Sequence, residues 1–344
     1  MRRDIGWMKQ KIIRNLIRTM IILTMIYGCT KKKDLKLYKI SGAAQGTYYA
    51  ITYSSDSNEN LQPAVDSLLR EFDKSVSGYL PTSVLSRFNK NDTTVTADEI
   101  FDTVFRKAME VSARSDGAFD VTVGPLVNAW GFGPGRKATV DQAMVDSLLE
   151  LVGYRKVQLV KGKLIKKDPR IQIDFDAIAQ GYSSDWLGHY FESKGIKNYL
   201  IDVGGEVLGK GSKPDGSLWS VAIERPAKNK EDERRIQTVL YLKDKAISTS
   251  GDYRKYYEEN GQRYSHHIDP GTGYPVKSSV LSVSVLADDC ITADAHATAL
   301  IVMGFDKAKK FLVKHPEIDA YFISDDGKGG FSVYFTPGFN QFFR

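Results

Sequence analysis

Apolar residues along the chain follow two periods, and the switching between them predicts the elements. Val65, Leu68, Leu69 and Phe72 recur at i, i+3, i+4 and i+7, the stripe of one helical face. Phe101, Val104, Phe105, Ala108 and Val111 repeat that pattern. Val145, Leu148, Leu149 and Val152 predict a third helix, stopped by Gly153. A fourth begins near Gln180 and turns Trp186, Leu187, Tyr190 and Phe191 inward. Small residues through Ala293, Ala295, Ala297 and Ala299, followed by Leu300 to Met303, predict a fifth, closely packed helix. Strand-like runs occupy 157–160, 171–175, 199–203, 219–223, 239–242 and 281–286. In the last, Leu281, Val283 and Val285 alternate with serines. The strands gather in the second half at hairpin-like spacing, which predicts an α+β fold with a mainly antiparallel sheet. Without an internal repeat or low-complexity linker, residues 37–344 are expected to form one compact domain.

The N-terminus breaks this pattern. Arg2, Arg3, Lys9, Lys11, Arg14 and Arg18 precede a short apolar run, Met20 to Tyr27. That run is too short to span a bilayer as a helix. Residues 1–28 therefore read as a secretory signal. Cys29 follows Gly28 and resembles the lipobox cysteine of bacterial lipoproteins, which is acylated after cleavage. Residues 29–36 are then a lipidated cysteine and polar tether, with Lys31 to Lys33 placed to meet anionic lipid.

This signal changes the meaning of the charge. The chain carries a formal +6, but the six basic residues and Asp4 of the signal account for +5 of it. The remainder is near neutral, so the basic balance is no argument for nucleic-acid binding. The second of the two cysteines, Cys290, has no intramolecular partner once Cys29 is acylated, and is expected to be a small buried residue.

Familiar nucleotide and hydrolase signatures are missing. The chain has no strand-following GxGxxG, no GxxxxGK[ST], no HExxH and no GxSxG. Five histidines make a multi-histidine metal site difficult, and a hard-cation site built from oxygens easier. Four segments carry candidate chemistry. Asp116 to Leu126, leading to Trp130-Gly131-Phe132-Gly133-Pro134, is dense in turn residues. Asp174-Phe175-Asp176-Ala177-Ile178-Ala179-Gln180-Gly181-Tyr182 reads as a strand running into a helix, a junction with free N–H groups and carbonyls. Ser248 to Tyr253 precedes Tyr264-Ser265-His266-His267-Ile268-Asp269-Pro270, which continues through a turn-rich loop to Pro275. If extended, the two histidines point apart. Asp294 and Thr298, four apart, share a helix face and offer two hard oxygens.

With Gly46-Thr47-Tyr48-Tyr49, Ser77 to Ser83 and Ser86-Arg87-Phe88-Asn89, these segments in this order closely resemble the ApbE family of FAD:protein FMN transferases, from about Lys36 to the C-terminus. The resemblance implies an ApbE-like, T-fold-like domain that uses FAD and magnesium. In that reaction a Thr or Ser hydroxyl of an acceptor protein attacks the FMN phosphorus, and AMP leaves. It places Asp294, Thr298 and the carbonyl of Ala179 on magnesium. Gln45, Tyr79, Ala118, Phe119, Asp120, Asp176 and Ile268 fall where the family contacts FAD. His266 corresponds to the family histidine and becomes the proton acceptor, with His267 facing away. Asp176 and Gln180 stand where many relatives show Gly and Lys, and Ala297 where some carry a further acid. Lipoproteins are common in the family, in accord with Cys29. The implied partners are an exported or membrane redox protein and the membrane itself. Thr30 after Cys29 favours the periplasmic face of the outer membrane. An FAD pyrophosphatase and a non-catalytic flavin-binding lipoprotein are the competing readings.

Overall fold

Each predicted helix forms where its apolar stripe meets a core, and several begin at a capping side chain. The computed structural model describes residues 35–135, 137–227, 233–251, 256–259 and 262–343, with Arg14 besides. The expected signal (Arg14 apart), Cys29 and most of the expected tether lie outside these residues. Contacts divide the chain into Met1–Leu35 and Lys36–Arg344, and the fold described is that of the second unit. Among the described residues no helix is long and apolar enough to cross a membrane.

The described fold begins with β1 (Lys36–Ala44) and β2 (Thr47–Ser55), so Lys36, expected in the tether, is strand. Helices α1 (Gln62–Val76), α2 (Val84–Asn89), α3 (Glu99–Arg114), α4 (Gly124–Ala129) and α5 (Gln142–Leu149) follow. Ser83, Asp98 and Asp141 cap α2, α3 and α5 by accepting from the amides of Ser86, Phe101 and Met144. Then come β3 (Val157–Val160), β4 (Lys163–Lys166), α6 (Ala179–Ser193), β5 (Tyr199–Val203) and β6 (Glu206–Lys210). The remainder is β7 (Trp219–Glu224), β8 (Ile236–Leu242), β9 (Lys245–Gly251), β10 (Tyr256–Glu259), β11 (Gln262–Ser265), β12 (Val280–Ala287), α7 (Cys290–Lys314), β13 (Asp319–Asp325) and β14 (Phe331–Phe335). Helix α7 is interrupted at Gly304, whose φ of 69° is not helical.

Eight strands form one sheet in the order β1-β2-β5-β6-β9-β12-β13-β14, every neighbouring pair antiparallel. The predicted α+β class with an antiparallel sheet is the one observed. Period-two alternation divides the sheet's side chains between two cores. Tyr49, Ile51, Ile201, Val203, Leu208 and Ala246 meet α1 and α6 on one face. Val207, Ile247, Leu286, Tyr321 and Ile323 meet the β7–β8 hairpin and Phe339 on the other. The front of α7, from Ala293 to Leu300, lies against Val283, Val285 and Phe322. Cys290 is fully buried.

Two expectations change. Strands are not confined to the second half, since β1 and β2 pair with each other and β2 pairs with β5. Residues 171–175 form no strand. Ile171, Ile173 and Phe175 are buried, as alternation requires, but their backbone bonds elsewhere. The Asn89 side chain donates to Ile173 O and accepts from Ile173 N, both at 2.8 Å, and Asp174 N donates to Val121 O. The segment is pinned by a side chain and the carbonyl of a 3-10 turn (Val121–Val123) instead of a ladder.

Candidate active site

A cleft of about 940 Å³ opens where the N-terminal turns of α6 and α7, the end of β9 and the His266–Pro270 segment converge. Its floor follows from matched repeats. Four residues of helix advance about 6 Å, and two residues of strand about 6.6 Å. Asp294 and Thr298 on α7 therefore stand opposite Ser248 and Ser250 on β9. Ser248 Oγ lies 3.4 Å from Asp294 Oδ1, and Ser250 Oγ 3.1 Å from Thr298 Oγ1. Asp294 is 6% exposed, and its Oδ2 accepts from Gly181 N of α6 at 2.9 Å. Carboxylate and hydroxyls form a donor set of hard oxygens, which suits magnesium or calcium and not a soft metal. Among the described residues no three His, Cys, Asp or Glu side chains cluster as metal ligands.

The wall formed by 116–120 begins in a tight turn, with φ of 52° at Asp116 and 81° at Gly117. Ala118, Phe119 and Asp120 all line the cleft. Asp120 is nevertheless committed to the fold. One oxygen accepts from Thr122 N and Oγ1, the other from Tyr154 N at 2.7 Å, while burial pushes its carboxyl upward. Tyr79 stands at the rim, 59% exposed, and donates to Asp176 Oδ2 at 3.1 Å. Asp176 N donates in turn to Asp174 Oδ1 at 2.8 Å. Burial, and then the Asp176 charge, push the Asp174 carboxyl upward.

His266 lines the cleft with Ile268. The expectation that His267 faces away is overturned, because His267 lines it too. The chain leaves the β-ladder after Ser265 and bends at His266, so strict alternation ends there. The two imidazoles sit 3.9 Å apart at 42°. Ser265 Oγ accepts from His267 N at 3.1 Å and lies 3.3 Å from its Nδ1, fixing that ring. Phe132 meets His266 edge-on at 6.4 Å. Trp130 Nε1 donates to Gly273 O at 2.8 Å and holds the Pro270–Pro275 loop.

Of the residues named from sequence, Tyr79, Ala118, Phe119, Asp120, Asp176, His266, Ile268, Asp294 and Thr298 share this cleft. Gln45 does not line it. With φ of 53° Gln45 sits in the β1–β2 turn, and its Oε1 accepts from Ser183 Oγ at 3.3 Å. Ala179, the first residue of α6, is also absent from the lining, although Ala177 and Gln180 on either side belong to it. Sequence reasoning missed Tyr48, Asp202, Glu206, Glu224 and Arg234, which form the opposite wall. Tyr48 donates to Asp202 Oδ2 at 3.2 Å. The available signal was Asp202-Val203-Gly204-Gly205-Glu206, a two-glycine hairpin turn that brings two acids to one end of the sheet. Seven carboxylates line the cleft against one guanidinium, Arg234, among the described residues.

The same architecture is found in solved structures. The flavin transferase ApbE from Vibrio cholerae superposes with a TM-score of 0.80 at 35% identity, covering 90% of this chain and 99% of that one. The ApbE protein of Thermotoga maritima does so with 0.79 at 28% identity, covering 90% and 100%. In sequence, the Vibrio cholerae protein named FAD:protein FMN transferase is 37% identical over 346 residues, 96% of this chain and 99% of the relative. The ApbE family model matches residues 45–322. The chain belongs to the ApbE family.

Proposed function

We infer that this protein is a transferase that moves FMN from FAD onto an acceptor protein. Family membership and the near full-length likeness to relatives named for that activity support the reaction. The observation that carries the chemistry is the single cleft joining Asp294, Thr298 and His266.

The acceptor group is a Thr or Ser hydroxyl. Its oxygen attacks the FMN phosphorus of FAD, the bond from that phosphorus to the bridging oxygen breaks, and AMP departs. His266 takes the hydroxyl proton. Asp294, Thr298 and the Ala179 carbonyl would hold magnesium, which when bound supplies charge neutralisation at the pyrophosphate. The electrostatics of the cleft favour that assignment: a wall of carboxylates repels a pyrophosphate unless a cation intervenes. Asp294, buried and tied to Gly181, orients the donor set. Tyr79 and Phe119 offer aromatic surface to the cofactor rings.

Incubation with FAD and magnesium, with and without a Thr- or Ser-bearing exported redox protein, tests this reading by mass spectrometry of the acceptor. Acceptor gaining FMN in step with AMP release is the expected result. FMN release that ignores the acceptor identifies a pyrophosphatase, and tight FAD binding without turnover identifies a carrier.

The protein is further proposed to be anchored through acylated Cys29 at the periplasmic face of a bacterial membrane, the outer membrane being favoured by Thr30. Cys29→Ala should move it from the membrane to the soluble fraction. Retention in the membrane would exclude this anchor.

A further inference from the structure

The cation ligands inferred above straddle two helices: Ala179 opens α6, while Asp294 and Thr298 lie on α7. The offset between the helices is therefore part of the site's geometry. Asp185, on α6, does not line the cleft and is 6% exposed. Its two oxygens accept from Cys290 N and Ile291 N, each at 2.8 Å. These are the first two amides of α7, which have no partner within the helix. Asp289 completes the cap, its Oδ1 accepting from Thr292 N at 2.9 Å and its carbonyl from Ala293 N at 3.3 Å. The reverse tie runs from α7 to α6, where Asp294 Oδ2 accepts from the Gly181 amide. Each helix thus presents a buried carboxylate to the N-terminal amides of the other.

Contact at this crossing is close enough to fix the spacing. A Cβ on Gly181 would lie 2.5 Å from Cys290 O and 2.7 Å from Asp294 Cβ. Magnesium tolerates little departure from octahedral geometry, so a small slip of α7 along α6 would separate its ligands. Helix packing alone does not require a buried carboxylate, and burying one is costly unless its bonds are satisfied. Asp185 satisfies both oxygens on the helix that carries Asp294.

We propose that Asp185 is a positioning residue for the cation site, holding α7 at the offset from α6 that lets Asp294, Thr298 and Ala179 address one ion. This inference rests on the magnesium reading above.

The test is calorimetric titration of magnesium into the full-length protein carrying FAD, without acceptor, beside FAD affinity measured without metal and thermal stability. Asp185→Asn keeps one acceptor oxygen and turns an NH₂ toward the other amide. Asp185→Glu keeps the charge and both oxygens but displaces them by a methylene. Both are expected to weaken magnesium binding by roughly tenfold or more while metal-free FAD affinity stays within about twofold. In a separate assay with acceptor, FMN transfer lost at low magnesium should return at high magnesium. If either folded variant binds magnesium as wild type does and loses only thermal stability, Asp185 is merely structural and the proposal is overturned. Should Asp185→Asn fail to fold, Asp185→Glu decides alone. Wild type binding no magnesium in the presence of FAD would sink the cation reading, and this inference with it.

Discussion

The Gly181 amide donates to Asp294 Oδ2 at 2.9 Å, across a gap that leaves no room for a side chain on residue 181. The bond joins the start of one helix to the proposed metal ligand of another. Gly181→Ala must push against the Cys290 carbonyl and the Asp294 Cβ. Overpacking of this kind costs about 1–3 kcal/mol. The variant should melt lower and lose most FMN transfer, as read by thermal denaturation and acceptor labelling.

Asp294→Asn separates the two duties of this side chain. The amide oxygen can still accept from Gly181, but the charge is gone. The variant should stay folded while transfer falls by about 10²-fold or more. Full activity in the folded variant would remove Asp294 from the metal site.

Chelation gives an independent reading. Excess EDTA should stop acceptor labelling, and added magnesium should restore it without refolding. Labelling that persists in EDTA would show that the oxygens of Asp294 and Thr298 serve another purpose.

His266→Ala should slow transfer by about 10²–10⁴-fold, the usual loss for a general base, with FAD affinity little changed. His267 is a necessary companion in this test, because its ring lies 3.9 Å from that of His266, tilted at 42°. If His267→Ala is the slower enzyme and His266→Ala is near wild type, the proton acceptor has been assigned to the wrong ring. Single-turnover labelling alongside FAD titration distinguishes these outcomes.

Stability should carry the mark of His296, on α7 between Asp294 and Thr298. Its Nδ1 lies 2.8 Å from Thr292 O and must donate to that carbonyl, and its Nε2 is buried without a hydrogen-bond partner. Burial holds its pKa down to about 4, from an ordinary 6.5. Between these values the unfolded chain binds more protons than the native one, so stability rises with pH across the window and is lost on acidification. Asp185, pushed up to about 7 chiefly by burial, acts in the opposite sense across that whole range, and Asp174, raised by burial and the Asp176 charge, acts in the same sense as Asp185. The His296 contribution is therefore read by difference. Relative to wild type, His296→Gln should lose about 2–3 kcal/mol less on going from pH 7 to pH 4.5, measured by urea unfolding at each pH.

Helices with a broad apolar stripe were legible from sequence, because packing against one core requires the 3.6-residue period. The third stopped early, at Leu149, and Leu151 and Val152 are buried beyond its end. Strands were legible where β-branched residues alternate, as in β12, and obscure where the work is done by small polar residues. Lys245–Gly251 is the clearest case: Ser248 and Ser250 make it look like a loop, yet they are the side chains that meet Asp294 and Thr298. Residues 171–175 show the converse, because alternation reports an extended backbone and not where its hydrogen bonds go. In the site, the ordered segments brought most named residues to one cleft. The acidic wall at Asp202 and Glu206 escaped notice because a Gly-Gly turn signals a hairpin without saying what lies beside it. Gln45 rests on the family resemblance alone, and of the neighbouring Gly46 to Tyr49 only Tyr48 lines the cleft.

Asp294 also bears on how such sequences are to be read in evolution. An aspartate that ties two helices together serves folding as well as catalysis, so its presence in a sequence does not by itself report activity. A degenerate descendant that kept it would still look competent. The diagnostic positions for a living enzyme are then those that no helix junction protects, Thr298 and His266, and their erosion beside an intact Asp294 would identify a retired copy.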